Sequence, residues 1–394
     1  MIPFTDRGRL KRTLAVSFCL ALWLLTSIFS VYRSRAGSND FDVMYNAGRA
    51  VLTGQGLYYS GAYYQEKQGI GPFLYPPVSA CFFAPLALFP LPVAAVIWNT
   101  LLLALFLGAV LLARRLVTDD DLEDACVAFW SGSPNPDRWL YGFAGLVMLF
   151  DNLVMGQVNI VVFFLCLVCL LFWRRGKHLR AGFILACAVF LKVTPAFFCL
   201  YFICKRSWKL VGGVLIGTVV LSLLIPTLVF GWDLNRIYHR QWMGRMIKPI
   251  VIDLLAKVQK EEPHPLKKSV EAIRSARLSR LLLESDQSLE AALTRLLLKE
   301  RMEYAERGSY PTPALGRYEK LPVLFGGIPA RVLRTVFQML RVVLIFFLVL
   351  LWARDRESKG RFKLPLEISL VFLRLTLLLP MTRSHHFVTW VFAY

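Results

Sequence analysis

Acidic residues are scarce in this chain of 394 residues, which has 26 Asp and Glu against 46 Lys and Arg and a formal net charge of +20. In a soluble protein, an excess of this kind would suggest a nucleic-acid partner. Here the Lys and Arg stand in short clusters between long apolar blocks, which is typical of cytoplasmic loops that flank membrane spans. The charge therefore argues against nucleic acid and for a membrane protein with basic cytoplasmic loops.

Cysteine is missing from the largest polar stretch, residues 231–325, so we expect no disulfide framework there. Most of the eight Cys lie inside apolar blocks. Cys166 and Cys169 form a C-x-x-C pair, but on a predicted helix within lipid, where redox and zinc chemistry would not find the polar surroundings that they need. We interpret the cysteines as small packing residues.

No small-residue cleavage site follows the first apolar run, Leu14 to Val31. The cations that precede this run are Arg7, Arg9, Lys11 and Arg12. We therefore expect a first span that stays attached and starts in the cytoplasm. The chain also contains no low-complexity tract and no solenoid-type repeat.

Apolar residues make up 56% of the chain and come in long blocks. A hydrocarbon core of about 30 Å needs about 20 such residues per helical span, and several blocks reach that length. The predicted fold is all-α: a polytopic helical membrane protein with about eight to ten membrane segments. We expect a single domain over residues 1–394, with polar outer loops at 32–75 and 231–325. The predicted spans are 14–31, 93–113, 139–155, 157–173, 208–230, 333–352 and 365–380.

The apolar stretch 76–113 is too long for one straight helix and short for two, and Pro90 and Pro92 mark a break in it. If residues 77–90 form a short re-entrant or interfacial helix, the basic pair at 114–115 lies in the cytoplasm. Two short spans would instead place that pair outside. The sequence leaves both arrangements open.

The block 181–204 has a basic cluster on each side and contains Lys192 and Pro195. Because both ends should then lie in the cytoplasm, we expect two half-helices that meet at a break. Broken helices at membrane depth are tolerated where they line a polar cavity.

Counting spans inward from both ends puts several polar segments on one outer face. They are the loops 32–75 and 231–325 and the pair His385 and His386. The turn Gly156-Gln157-Val158-Asn159 also falls on this face if Arg114 and Arg175 lie in the cytoplasm. Polar groups that are far apart in sequence thus converge on one surface, as an active site on a helical scaffold requires. The apolar run after the His pair ends at Tyr394 after about eight residues, too few to cross a bilayer. Either the C-terminus rests at the interface, or spans that relatives possess are missing.

Two acids follow the first span, Asp40 and Asp42. From the residues alone, each acid has two interpretations: an ordinary interfacial acid or a general base. A carboxylate in a partly dry cleft can take the proton from an attacking sugar hydroxyl while the bond to the donor forms. The position of these acids beyond the first span suits that chemistry.

Cations in two places are candidates for contact with a phosphate. Lys192 lies in an apolar block, where a charge costs about 2.5–3.5 kcal/mol on insertion scales and needs a partner or water. It either snorkels to the interface or binds phosphate. Arg383, His385 and His386 would stabilise a departing phosphate. Adjacent His side chains rarely point the same way on a helix, so we expect no metal there.

An acidic run at 119–124 could suggest metal binding, but a solvated cytoplasmic helix surface explains it better. Aromatic residues concentrate in the first outer loop, where they form either an interface belt or a platform for sugar rings. They are Tyr58, Tyr59, Tyr63, Tyr64, Phe73 and Tyr75. The residues alone do not separate the two roles.

Four motifs of the chain resemble sequence patterns of bacterial glycosyltransferase family 87. The first loop is similar in Asp40-Phe41 with Tyr45, Ala47, Gly54, Leu57 and Tyr58, then Tyr75-Pro76-Pro77. The central pattern is similar in Gly156-Gln157-Val158-Asn159, then Lys192-Val193-Thr194-Pro195. The outer-loop pattern is similar in Gln287-Ser288-Leu289 with Arg295, and the late His motif in Ser384-His385-His386. The ordered set spans nearly the whole chain.

The resemblance implies a class C fold and an inverting transfer of a hexose, most often mannose, from a polyprenyl-phosphate carrier to a glycan or glycolipid acceptor. It implies neither nucleotide, cofactor nor metal. The base would be Asp40. The substrate-binding residues would be Asp42, Tyr45, Tyr75, Gln157, Asn159, Lys192, Arg383, His385 and His386. The protein would lie in a bacterial plasma membrane, among membrane lipids, with its active site outside the cytoplasm.

Two other functions fit parts of the pattern. A transporter or lipid flippase would also have intramembrane charge and broken helices, although repeats relating two halves are not visible here. A non-catalytic assembly subunit would bind lipid without turnover.

Overall fold

The structure is a computed structural model that describes residues 4–35, 39–58, 73–118, 146, 149–246 and 330–354. These residues form helices and contain no strand, which confirms the predicted all-α class. The span expected at 365–380 and the acidic run at 119–124 fall outside the described residues.

We number the helices in chain order. They are α1 (Phe4–Arg35), α2 (Asp40–Thr53), α3 (Pro77–Phe83), α4 (Leu91–Thr118), α5 (Leu149–Met155), α6 (Asn159–Arg174), α7 (His178–Leu191), α8 (Ala196–Cys204), α9 (Trp208–Val219), α10 (Ile225–Phe230), α11 (Trp232–Met246) and α12 (Ala330–Arg354). A 3₁₀ turn at Leu86–Leu88 precedes α4, and a π-helical turn at Val220–Leu224 joins α9 to α10.

Three helical stretches among the described residues are long and apolar enough to cross a membrane: Val16–Arg35, Leu91–Leu116 and Trp208–Phe230. Helices α5 and α6 pass the same test together as a pair bent by 118°, which makes four if the pair is one span. Each stretch overlaps a predicted span. The chain is therefore an integral membrane protein of the helical class.

The stretch 76–113 adopts the first of the two predicted arrangements. The short helix α3 begins at Pro77, after Pro76. Proline suits the first position of a helix because an N–H there would have no partner within the helix. The single long helix α4 follows. At its basic end, the Leu116 carbonyl accepts a hydrogen bond of 3.0 Å from the Arg174 guanidinium. The basic ends of α4 and α6 thus lie together.

The block 181–204 is broken as predicted. Helix α7 ends at Leu191, Lys192 is extended with φ −157° and ψ 129°, and α8 begins after Pro195. The Phe202 ring on α8 packs 5.3 Å from the Trp173 ring near the end of α6. Helix α8 therefore returns toward the end of the bundle from which α7 starts.

Helices α7 and α9 pack in parallel with their backbones in contact. A Cβ added to Gly182 would lie 2.0 Å from the Leu210 carbonyl oxygen, and one added to Gly217 would lie 2.6 Å from the Cβ of Ala186. Small residues spaced in this way let two membrane helices approach closely. The first-turn residues of both helices consequently meet at one end.

The first outer loop is more ordered than its composition suggested. Helix α1 continues past Val31 to Arg35, and α2 occupies Asp40–Thr53 within the predicted loop. Gly48 on α2 lies against the end of α3, where a Cβ would come within 2.6 Å of the Phe83 carbonyl oxygen. Close packing of α2 on α3 fixes the first acids relative to the bundle.

The seven cysteines in the described part of the chain are free. Cys166 and Cys169 are buried in α6, in agreement with the packing role predicted for them.

Candidate active site

The start of α2 is set by Asn39, which is buried and caps the helix. Its side-chain oxygen accepts a hydrogen bond of 3.2 Å from the Phe41 N–H. Its amide lies 3.2 Å from the Ser30 hydroxyl on α1 and 3.2 Å from the Val154 carbonyl on α5. One side chain thus ties three segments together and places Asp40 at the first turn. We did not predict this role, although Asn before an acidic helix start is a common capping signal.

The turn at Gly156 lies where α5 bends into α6. Gly156 has a φ of +62°, and a Cβ there would lie 2.6 Å from the Cβ of Phe41. The Trp98 indole on α4 donates a 2.9 Å hydrogen bond to the Gly156 carbonyl, and its ring stacks on Phe41 at 6.1 Å. A left-handed backbone and a close approach both require glycine here. The turn, α2 and α4 are therefore locked together.

The first predicted pair of site residues is in contact. The Gln157 side-chain amide donates a hydrogen bond to the Asp40 carboxylate across 117 residues of sequence. Gln157 is buried, whereas Asp40 is half-buried. The contact fixes one carboxylate oxygen of Asp40 and so orients the predicted base.

A second set of hydrogen bonds joins Lys192 to the same turn. The Lys192 ammonium donates to the Asn159 side-chain oxygen at 2.5 Å, and the Asn159 amide donates to the Asn152 side-chain oxygen at 3.2 Å. The Asn152 carbonyl also accepts a 3.0 Å bond from the Gln157 N–H. Asn152 is fully buried and links both sets. We did not predict it; the available signal was an uncharged polar residue within an apolar block.

Helix α6 begins at Asn159, next to the Lys192 ammonium, and no side chain caps its first turn. The first N–H groups of a helix have no partner within the helix and carry partial positive charge. Together with Lys192, they form a place that attracts an anion such as phosphate. The Asp40 carboxylate contacts Gln157, two residues before Asn159 in the same turn.

Asp42 differs from Asp40 because it is only 1% exposed. Neither of its oxygens makes a hydrogen bond of normal geometry within the described residues. Burial is the main reason that the pKa of Asp42 rises to about 6; the nearby Ser34 hydroxyl and Asn39 backbone oppose the rise, and the charge of Asp40 adds a smaller upward contribution. The carboxylate thus lies on the packed side of α2, beside α1.

The two predicted tyrosines occupy different surroundings. The Tyr45 hydroxyl donates a 2.8 Å hydrogen bond to the Phe89 carbonyl, and the residue is buried. Burial, with a smaller contribution from the Asp40 charge, raises the pKa of Tyr75 well above its usual range. Tyr75 therefore stays a neutral hydroxyl within electrostatic reach of Asp40.

The aromatic residues of the first loop divide in the structure. Tyr58 and Phe73 are buried, with ring centroids 5.6 Å apart. Tyr238 on α11 packs on Tyr58 at 6.0 Å. These two aromatics hold the loop against α11. Tyr59, Tyr63 and Tyr64 fall outside the described residues.

Arg383, His385 and His386 also fall outside the described residues, and their roles stay predictions. Within the described part of the chain, no three His, Cys, Asp or Glu side chains stand close enough together to hold a metal ion.

Fold and site together define a class: an integral helical membrane protein with an acid, amides and a lysine gathered at the bends of its broken segments. The model of glycosyltransferase family 87 matches residues 73–261 of this chain, which confirms the predicted resemblance. The matched stretch contains Tyr75, Gln157, Asn159 and Lys192, and it leaves Asp40 outside.

Curated relatives are found in mycobacteria. A polyprenol-phosphate-mannose-dependent alpha-(1-2)-phosphatidylinositol mannoside mannosyltransferase of Mycolicibacterium smegmatis is 34% identical over 177 residues, which are 43% of this chain and 39% of the relative. The protein of the same description from Mycobacterium tuberculosis is 31% identical over 230 residues, 53% of this chain and 51% of the relative. A polyprenol-phosphate-mannose-dependent alpha-(1-2)-phosphatidylinositol pentamannoside mannosyltransferase of Mycolicibacterium smegmatis is 30% identical over 213 residues, 52% of this chain and 48% of the relative.

The chain therefore spans about half the length of these relatives or less. No solved structure matches it.

Proposed function

We propose that this protein is a glycosyltransferase that moves a hexose, mannose by its likeness to the named relatives, from a polyprenyl-phosphate carrier to a hydroxyl of a glycan or glycolipid. One observation carries the proposal: the Asp40 carboxylate contacts Gln157, while two residues further along the same turn Asn159 holds Lys192. An acid and a cation held by residues of the same turn suit a reaction that removes a proton and releases a phosphate.

In the proposed step, the acceptor hydroxyl oxygen forms a bond to the anomeric carbon of the sugar. The bond from that carbon to the phosphate oxygen breaks, and the polyprenyl phosphate leaves with the electron pair. Asp40 takes the hydroxyl proton. Attack on the face opposite the phosphate inverts the anomeric configuration, as the resemblance implies, without a nucleotide or a metal ion.

The remaining described residues would position these two groups. Gln157 contacts Asp40 and would orient it for the acceptor hydroxyl, and Asn159 holds Lys192 near the first turn of α6. Lys192 and the α6 N-terminus would neutralise the phosphate while negative charge builds on it. Tyr75 would donate a hydrogen bond near Asp40, and Arg383, His385 and His386 would complete the phosphate contacts.

The relatives' names specify phosphatidylinositol mannosides as their acceptors. By that likeness we propose a mannosylated glycolipid as the acceptor here. We place the reaction in one membrane domain over residues 1–394, in a bacterial plasma membrane. Since α6 runs from Asn159 to the basic cluster at Arg174, cytoplasmic retention of that cluster would put the site outside the cytoplasm.

The test is transfer of radiolabelled mannose from polyprenyl-phosphate mannose to extracted glycolipid, in membranes that carry the full chain. We expect Asp40→Asn to lower transfer by about 100-fold or more, since a positioned base contributes roughly 10²–10⁴-fold. Asp233→Asn is the matched control, because Asp233 is an exposed acid on α11. Unchanged transfer in Asp40→Asn would refute the base assignment.

The transporter alternative receives no support, because each relative reported above is named as a mannosyltransferase. If proteoliposomes moved the lipid across the bilayer without transferring sugar, the proposal would be overturned in favour of a flippase.

A further inference from the structure

A cavity of about 460 Å³ opens at the end of the bundle opposite Asp40. The sixteen residues of α6 separate the two places, a distance of about 24 Å along a helix. The cavity lies between the α6–α7 turn and the start of α9, and its lining residues are Gly176, Lys177, His178, Leu179, Arg180 and Lys209.

The charge of this cavity has one sign. Lys177, Arg180 and Lys209 are exposed, and no carboxylate of the described residues pairs with them. The sequence contains no Asp or Glu between Asp151 and Asp233, so neither flanking helix supplies a neutralising acid. Flanking cations alone would explain loops that stay in the cytoplasm. They do not require a concave arrangement in which basic residues of two separate turns line one space. The Lys177 ammonium lies 5.8 Å from the centroid of the Phe172 ring at the edge of this space.

Helix packing adds to the positive potential. Helices α7 and α9 run in parallel, and their first turns meet where Leu210 approaches Gly182. The N-cap residues Lys177 and Ser207 make no side-chain cap hydrogen bond. Two positive helix ends therefore lie beside the three cations, and both favour an anion.

Apolar groups beside the cavity indicate what kind of anion fits. Leu179 lines the cavity and is 54% exposed, and Trp208, next to Lys209, is 63% exposed. On the outward face of α9, Leu215 and Ile216 are exposed as well. A free phosphate would use only the cations, whereas a phospholipid would place its headgroup in the cavity and its acyl chains along α9. Basic pockets between membrane helices bind anionic headgroups in this way.

We propose that this cavity binds the phosphate headgroup of an anionic phospholipid from the leaflet at the basic end of the bundle. Lys177, Arg180 and Lys209 contact the phosphate, and Trp208 and α9 contact the glycerol and acyl chains. The site is separate from the sugar-transfer site and does not depend on the activity proposed above.

The experiment uses the purified full chain in detergent and native mass spectrometry with phosphatidylglycerol and phosphatidylcholine as probes. We expect the unaltered chain to retain phosphatidylglycerol in preference to phosphatidylcholine. The triple variant Lys177→Gln, Arg180→Gln, Lys209→Gln should lose affinity for phosphatidylglycerol by about tenfold or more, since each cation near a lipid surface contributes about fivefold. Arg49→Gln, Arg236→Gln, Arg240→Gln removes three exposed cations elsewhere and should change affinity by less than about twofold.

Three results would overturn the proposal. One is equal phosphatidylglycerol affinity in the cavity variant and the unaltered chain. Another is an equal loss in the control variant, which would mean that overall charge and not the cavity selects the lipid. The third is displacement of phosphatidylglycerol by inorganic phosphate at the same concentration, because the acyl chains would then contribute nothing to binding.

Discussion

Asp40 and Asp42 stand two residues apart on the first turn of α2, and residues with this spacing do not share a helix face. Asp40 is half-buried and reaches Gln157. Asp42 is directed into the packing beside α1, with both oxygens lacking a hydrogen bond of normal geometry within the described residues. The helix thus directs Asp40 toward the proposed site and Asp42 into the packing, where burial of the charged carboxylate costs stability.

The cost gives a prediction of pH dependence. Burial raises the pKa of Asp42 from 3.8 to about 6, so the folded chain holds this proton more tightly than the unfolded chain does. The contribution of Asp42 to the free energy of unfolding is therefore most favourable below about pH 4, and it is lost as the pH rises through about 6. Asp42→Asn should raise the melting temperature at about pH 7.5, by a stabilisation of up to roughly 3 kcal/mol, and the gain should shrink toward about pH 4.

Thermal unfolding of the purified chain in detergent at several pH values measures this effect. Asp233→Asn, at an exposed position on α11, controls for the loss of one negative charge. A lower melting temperature for Asp42→Asn at about pH 7.5 would show that the ionised carboxylate has a stabilising partner, contrary to the prediction.

At the scale of elements, the bend between α5 and α6 depends on one glycine. Gly156→Ala introduces a Cβ 2.6 Å from the Cβ of Phe41 in a backbone with φ +62°. We expect α2 to shift away from the turn, which separates Asp40 from Gln157. Transfer activity should fall by about 100-fold or more, because a displacement of about 1 Å in a catalytic group has effects of that size.

Gly54→Ala is the matched control for backbone strain. Gly54 has a φ of +68° at the end of α2, and a Cβ there would meet no atom within 4 Å. The control carries the same left-handed penalty of about 1–2 kcal/mol without the contact with Phe41. Equal activity of the two variants would mean that the approach of Phe41 to the turn does not matter.

The parallel pair α7 and α9 offers a second comparison between neighbouring glycines. A Cβ on Gly213 would lie 2.3 Å from the Leu179 carbonyl oxygen, whereas one on Gly212 would meet nothing within 4 Å. Gly213→Ala should destabilise the chain by about 1–3 kcal/mol through overpacking. Gly212→Ala should be neutral or stabilising by up to about 1 kcal/mol, because alanine favours a helix.

Fluorescence-detected size exclusion after graded heating compares the two variants in crude detergent extract. A drop in melting temperature for Gly213→Ala alone supports the close helix crossing. Equal melting temperatures would show that α7 and α9 are further apart than the structure places them.

At the scale of the whole molecule, the spans could be predicted because apolar length and basic clusters determine them locally. Leu91–Leu116 and Trp208–Phe230 follow from their composition, and the break at Lys192 follows from a charge and a proline between two basic clusters. The resemblance also placed Asp40 and Gln157 in one site. The positions of the spans and of the break can therefore be predicted from the residue types along the chain.

The hydrogen-bond partners could not be predicted in the same way. Asn39 contacts Val154 across 115 residues of sequence, and Asn152 joins Gln157 to Asn159. Neither hydrophobic periodicity nor a cluster of charges in the sequence predicts such contacts, because they depend on how tightly the helices pack around them. The stacking of Phe41 on Trp98 likewise arises only when α2 and α4 meet.

The position of the two ends of the bundle relative to the membrane supplies a last prediction. Arg174 contacts Leu116, so the basic clusters that end α4 and α6 lie together, and Lys and Arg next to spans favour the cytoplasm. Gln55, just after α2, lies in the same loop as the Asp40 site; Arg175 follows α6 at the basic end; and both are exposed. In a chain whose native cysteines are replaced, a membrane-impermeant maleimide should label Gln55→Cys in intact cells and Arg175→Cys only after permeabilisation. The reverse pattern would place the proposed site in the cytoplasm, where a carrier that presents its sugar outside could not reach Asp40.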